Sequence, residues 1–290
     1  GDAVGLVAAD VSDAVQRGRT VGECREAEDG RCQFPRRRQV EFGAVDAVAR
    51  GHGERAAAAV DARAHLAEDL DEEVWCREAY GLRPAAFAES VGWTGPDVWF
   101  AHAIFLDSGE IRRFAETGTG MTHCPSANMR CGQGIAKIRE MLDAGLTCGL
   151  GVDGSASNDT SNLFLEARLA QLLQRVAPAR YGSEPPGGRG GFGGTPGALS
   201  AREALVMATR GGARLLGRDD IGHLAPGMSA DLIAVKLDQL GLSGTQRDPL
   251  AAMVMCGPFR VSHSFIHGRP IIADGAFCDL DLEALLAEHA

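Results

Sequence analysis

No stretch of this sequence carries the roughly 18 consecutive apolar residues that a membrane-spanning helix requires, so no segment reads as a transmembrane span. Positive charge is scarce as well. Against 39 aspartates and glutamates stand 29 lysines and arginines, a net charge of −10, whereas nucleic acid or an anionic membrane as main partner demands a basic face. The eight cysteines (Cys24, Cys32, Cys76, Cys124, Cys131, Cys148, Cys256 and Cys278) include no Cys-x-x-Cys pair and are scattered along the chain. That spacing disfavours both a thiolate metal knuckle and a disulfide-stapled scaffold. Most are expected to be small buried hydrophobes, and a reducing cytoplasm suits them best. The first ten residues lack the basic lead-in and small-residue cleavage site of a secretory signal, and none is read there.

What is present is ordinary for a globular chain: 45% apolar and 23% charged residues over 290 positions, enough for one large domain or two. The clearest order lies between residues 60 and 176. Four short strand-like runs occur there, Val60 to His65, Val98 to His102, Gly120 to His123 and Leu146 to Asp153. Between them sit helical signals. Asp107 with Glu110 forms a capping box and Gly118 a stop; Ile135, Ile138, Met141 and Leu142 recur at helical spacing before Gly145. Leu163, Phe164, Ala167, Ala170 and Leu173 give an apolar stripe on a helix expected to start near Asn158 to Thr160. Strands alternating with helices imply an α/β fold with a parallel sheet. Residues 178–199, dense in glycine and proline, read as a surface loop, and a helix is expected from Ser200 to Leu216. Short β runs follow, with turns at His267–Gly268 and Asp274–Gly275.

Each of the four runs ends at a titratable side chain: His65, His102, His123 and Asp153. In a (β/α)8 barrel the C-terminal strand ends converge on the face where chemistry is done, so four such endings in succession point to a site. His65 can ligate zinc as a neutral imidazole, and Glu68, on the loop after it, can shuttle protons. Glu68 also opens the acidic run through Glu73, whose plainer reading is a negatively charged helix N-terminus. His102 and His123, taken singly, fit satisfied core or rim histidines equally well. Asp153 is the sharper signal, because a carboxylate after the apolar, glycine-rich Leu146 to Val152 is costly to bury unless a cation compensates it. A helix N-cap is the competing role, but Asn158, Asp159 and Thr160 already offer caps. His52-Gly53-Glu54 matches half of the cytidine-deaminase metal signature; the Pro-Cys-x-x-Cys half is absent and that architecture is set aside.

With those residues in hand, the chain closely resembles the amidohydrolase superfamily, nearest its branch of 8-oxoguanine deaminases and s-triazine hydrolases. The matching segments are HLAEDLDEE (65–73), WFAHAIFLD (99–107), HCPSANMRCGQGIAKIREMLDAG (123–145), GLGVDGSASNDTSNLFLEARLAQLLQRV (149–176) and LAPGMSADLIAV (224–235). The resemblance, from about residue 60 onward, implies a partial (β/α)8 TIM-like barrel over residues 61–222 and a small β domain with a C-terminal helix over 223–290. Residues 1–60 stand apart as an atypical segment, misread or a remnant of the early barrel.

The same resemblance implies one zinc ion, with His65 as the strand-5 ligand and Asp153 as the strand-8 aspartate that touches zinc and takes a proton from the attacking water. Glu68 resembles the proton-shuttling acid and base, and His102 the strand-6 histidine beside water and substrate. His123 and Asn128 fall in a segment lining the pocket. The implied reaction is hydrolytic deamination of a purine-like heterocycle, 8-oxoguanine first, with guanine, a pterin or an s-triazine as alternatives. A homo-oligomer is left open. The family's His-x-His, which supplies two further zinc ligands, occurs nowhere in the chain, and Arg63 stands where a histidine is usual. A catalytically inactive fragment of a longer protein is therefore the competing expectation.

Overall fold

In the computed structural model, residues 62–177 and 198–289 are described, together with three short strands nearer the start: β1 (Ala3–Leu6), β2 (Arg25–Glu26) and β3 (Cys32–Gln33). The centre of the molecule is a four-stranded parallel sheet, β4 (Ala62–Leu66), β5 (Val98–His102), β6 (Gly120–His123) and β7 (Cys148–Leu150), in that spatial order. Helices α1 (Leu70–Tyr80) and α2 (Pro84–Ser90) join β4 to β5. Helix α3 (Ser108–Thr117) joins β5 to β6, α4 (Pro125–Arg130) and α5 (Ile138–Asp143) join β6 to β7, and α6 (Leu163–Val176) follows β7. Every residue of β5, β6 and β7 is buried, as the strands of a parallel sheet covered on both faces require.

Local chemistry sets the helix ends. The Asp107 side chain accepts from the Gly109 and Glu110 amides while Glu110 closes the capping box, and Gly118, at φ +77°, ends α3 in the left-handed conformation. The buried face of α3 places Ile111 and Phe114 on the sheet, where Phe114 stacks on Phe100 with centroids 5.6 Å apart. Met121, Ile138, Met141, Ala167 and Ala170 complete this core, each large side chain contributing roughly 1.5–3 kcal/mol by leaving water.

Two boundaries differ from expectation. The last strand stops at Leu150 rather than running to Asp153, which itself takes a left-handed backbone at φ +63° outside any ladder. Helix α6 starts at Leu163 with Asn162 as its cap. Asn158 is diverted instead into a turn, its Oδ1 accepting from the amides of Thr160 and Ser161.

The helix expected from Ser200 is present in three pieces: α7 (Ala201–Val206), a π turn over Met207–Gly211 and α8 (Gly212–Leu215). Beyond it lies an antiparallel sheet of β8 (Leu232–Lys236), β9 (Val261–Ile266), β10 (Arg269–Ala273) and β11 (Ala276–Phe277). Both expected hairpin turns have two consecutive positive-φ residues, +51° and +74° at His267–Gly268 and +48° and +82° at Asp274–Gly275, the pattern that matches strand twist. Strand β1 adds to the free side of β8, Ala3 opposite Lys236, an addition the sequence reading did not foresee. Helices α9 (Pro249–Met255) and α10 (Leu282–His289) complete the region, Met253 packing with Val235 and Leu242 in a second core.

Cys76, Cys124 and Cys148 are buried as expected, Cys131 and Cys256 partly so. Cys278 is exposed, because it follows the two-residue strand β11 at the sheet margin. Residues 178–197 of the glycine-rich loop, His52-Gly53-Glu54, and the side chains of Cys24 and Cys32 lie outside the described residues. Among the described residues no helix is long and apolar enough to cross a membrane.

Candidate active site

The parallel register pairs His65 with Ala101, Ala101 with Thr122 and Thr122 with Gly149, so these four share one face of the sheet. By alternation His102 belongs on the opposite face. It does not go there. Its φ is +71° instead of the usual strand value near −120°, which swings Cβ about the N–Cα bond by roughly half a circle. The imidazole consequently meets that of His65 edge to face, with centroids 4.7 Å apart. Ala67 (φ +50°) and Asp153 (φ +63°) are also left-handed. Such conformations cost about 1–3 kcal/mol each and persist where the surroundings over-determine them.

These turns gather four side chains at the C-terminal ends of the strands. His65 Nδ1–H donates to Glu68 Oε2 at 3.3 Å, and His65 Nε2 lies 4.0 Å from Asp153 Oδ1. His102 Nδ1–H donates to Asn128 Oδ1 at 2.7 Å; an amide oxygen only accepts, so the neutral ring carries its lone pair on Nε2. That nitrogen is buried without a hydrogen-bond partner, 3.6 Å from Glu68 Oε1 and 3.9 Å from Asp153 Oδ2. Ligand-type atoms of His65, Glu68 and His102 all lie within 4.8 Å of one another. An imidazole lone pair facing two carboxylates is a cluster of acceptors, an arrangement that a cation or a shared proton satisfies.

The electrostatics follow from that crowding. Burial depresses the His65 pKa, but the hydrogen bond and charge of Glu68, with Asp153 and Glu72, outweigh it and the net shift is upward. Burial likewise raises Glu68, yet the His65 hydrogen bond, the nearby imidazoles and Gln133 bring it down to about 2. The acidic run divides its labour. Asp69 caps α1 by accepting from the Glu72 amide at 2.8 Å, and Asp71, Glu72 and Glu73 line the first turn, while Glu68 alone turns to the histidines.

His123 is fully buried, with no partner for either nitrogen; burial and then the charge of His102 push its pKa down to about 3. It is not in the His65–Glu68–His102 group. Asn128 reaches that group through His102. Two contributors carried no sequence signal. Gln133 Nε2 donates to Glu68 Oε1 at 2.5 Å from a glycine-flanked loop, and Ser157 Oγ donates to Asp153 Oδ2 at 2.7 Å.

Glu72 offers a test of the local electrostatics. It is buried, its Oε2 accepts from the Glu68 amide at 2.8 Å, and burial pushes its pKa from 4.5 up to about 7. A folded-state pKa raised above the unfolded value means that ionising Glu72 costs stability as pH rises from about 4.5 through 7. Glu72→Gln is expected to stabilise the chain at pH 8 by on the order of 2 kcal/mol, with little effect at pH 5. Thermal melts at the two pH values check this, and an equal shift at both would count against it.

A family model described as the amidohydrolase family matches residues 42–271. The chain belongs to that family. The match begins upstream of residue 60, so family character reaches further toward the start than the quoted motifs do. A Pseudomonas aeruginosa 8-oxoguanine deaminase is 49% identical over 241 residues, covering 81% of this chain and 50% of that relative. An isoxanthopterin deaminase from an unknown prokaryote is 36% identical, covering 77% of the chain and 46% of the relative. Among solved structures, an Arthrobacter aurescens atrazine chlorohydrolase complexed with zinc superposes with TM-score 0.70 at 37% identity, covering 79% of this chain and 48% of that one. The chain thus spans about half the length of the relatives it matches. The amidohydrolase architecture here is part of a TIM-like barrel with a C-terminal antiparallel sheet, the four-stranded parallel sheet being the barrel portion.

Proposed function

We propose that the protein to which this chain belongs is a zinc-dependent aminohydrolase that removes the amine of a purine-like heterocycle, 8-oxoguanine first. The observation that carries the proposal is the convergence of the orphaned His102 Nε2, Glu68, Asp153 and His65 at one end of the parallel sheet. Imidazole nitrogens and carboxylate oxygens are the donor set zinc prefers. His65 and Asp153 would hold the ion; the His-x-His that the family resemblance implies as two further ligands does not occur in these 290 residues. When bound, a divalent ion supplies Lewis acidity and lowers the pKa of water toward about 7.

The chain's own residues divide the remaining work. Asp153, steadied by Ser157, accepts the proton of the attacking water. Glu68, held by His65 and Gln133, carries a proton to a ring nitrogen and then to the departing amine. His102, with both ring nitrogens protonated, would donate Nδ1–H to Asn128 Oδ1 and offer Nε2–H to the oxygen that develops charge. His123 and Asn128 shape the wall behind His102.

Relatives named for isoxanthopterin and for hydroxydechloroatrazine keep a pterin and an s-triazine as alternative substrates beside guanine, since a few hydrogen-bonding groups separate such specificities. Ammonia release from a panel of these heterocycles by the complete protein tests the proposal. The highest kcat/KM is expected for 8-oxoguanine, and release from none of them would overturn it. Residues 1–290 alone are expected to retain well under one zinc per chain by elemental analysis. A tight stoichiometric ion would show that the His-x-His ligands are dispensable.

A further inference from the structure

We infer that Glu166 is a positioning residue, holding the Asp153 loop in place through Asn158; this rests on the reading of the site given above. Glu166 sits in the first turn of α6 and is fully buried. Its Oε2 accepts from the Ser126 amide at 3.0 Å and its Oε1 from Asn158 Nδ2 at 2.8 Å. Ser126 lies in the first turn of α4, the helix that carries Asn128 and so supports His102. Asn158 belongs to the loop after β7. Its amide donates to the Gly154 carbonyl at 3.0 Å, and its Oδ1 accepts from the amides of Thr160 (3.1 Å) and Ser161 (3.2 Å). From the same turn Ser157 Oγ reaches Asp153 Oδ2.

One carboxylate therefore clamps the loop bearing Asp153 to the helix bracing His102. The loop needs such a hold, because Asp153 (φ +63°) and Ser161 (φ +44°) are both left-handed, a backbone that lasts only when neighbours enforce it. Filling volume would not require a charge here, and burying one is costly. Glu166 is met by the amide and hydroxyl of Ser126 and by the Asn158 side-chain nitrogen, so the position calls for two acceptor oxygens, which a carboxylate supplies and a carboxamide does not.

That polarity makes the inference testable by transposing the charge. Glu166→Gln turns one acceptor into a donor facing a donor. Asn158→Asp sets two carboxylates face to face. In the double variant the new amide donates to the new carboxylate with the direction reversed, and the Ser126 amide and hydroxyl keep an acceptor oxygen. Hydrogen exchange on the complete protein reads the result without needing turnover. Each single variant is expected to speed amide exchange in residues 154–161 by about 10- to 100-fold while β4 to β6 stay protected, and the double variant to return within about 3-fold of wild type.

In the complete protein, kcat per bound zinc should fall at least about 10-fold in each single variant with KM little changed, and recover in the double. Singles that exchange like wild type, a double no better than the worse single, or a general loss of protection across the sheet would each overturn the inference. Asp153→Asn, assayed alongside, separates the two levels. If it retains turnover while the exchange pattern holds, the functional reading fails and the clamp stands.

Discussion

Asp153→Asn in the complete protein is expected to lower kcat for ammonia release by about 10³-fold or more, the scale of a lost general base. Asparagine matches the shape of aspartate but cannot take a proton from water at neutral pH. It also replaces one of the two carboxylate oxygens, Oδ1 at 4.0 Å from His65 Nε2 or Oδ2 at 3.9 Å from His102 Nε2, by an amide nitrogen that has no lone pair to give a cation. Bound zinc should fall together with kcat, because Asp153 is proposed to serve both. Ser157→Ala, which removes the 2.7 Å bond that orients Oδ2 together with the 3.2 Å bond to the Gly154 carbonyl, should cost roughly 10-fold and leave zinc in place. Steady-state kinetics paired with elemental analysis check both variants. Turnover of Asp153→Asn within about 10-fold of wild type would remove Asp153 from the chemistry.

The second large effect concerns folding. Gly211, in the π turn, approaches β7 so closely that an added Cβ would stand 2.1 Å from the Cys148 carbonyl oxygen and 3.3 Å from the Val206 oxygen. Both obstacles are backbone, so no rotamer change relieves them. Gly211→Ala is expected to destabilise by about 3 kcal/mol or more, lowering Tm by roughly 6–12 °C. Gly154→Ala, whose Cβ would meet nothing within 4 Å, serves as the control and should melt close to wild type. A Gly211→Ala melt matching that control would show that the π turn packs less tightly against β7 than its backbone contacts imply. The same contact explains why the helix after Ser200 is broken into three pieces: its middle turn widens where it presses on the last barrel strand.

Much of the site was legible because the signals are short in range. Apolar runs ending at His65, His102 and His123 give the β4, β5 and β6 ends to within a residue, and the Asp107–Glu110 capping box fixes where α3 begins. Motifs such as HCPSAN and GVDGSASND carried the family, and the family carried the pairing of Glu68 with His65. Other features were not legible. Asn158 looked like a helix cap and is a loop anchor, because Ser161 is left-handed and delays α6 until Asn162 can cap it. Gln133 and Glu166 bear no local mark, since their partners Glu68, Ser126 and Asn158 lie 65, 40 and 8 residues away in the chain. The pairing of Ala3–Leu6 with β8 joins segments more than two hundred positions apart.

The amino-acid order by itself determined the alternation of strands and helices, the helix caps, and which imidazoles and carboxylates stand at strand ends. These depend on contacts between residues a few positions apart, which periodicity and capping chemistry capture. Tertiary structure alone decided that His102 turns onto the face of His65, that Asn128 accepts a hydrogen bond from its Nδ1–H, and that Glu166 bonds both α4 and the loop after β7. Those outcomes depend on strand register and on left-handed backbone at His102 and Asp153. Such conformations are unfavourable locally and exist only because distant packing enforces them.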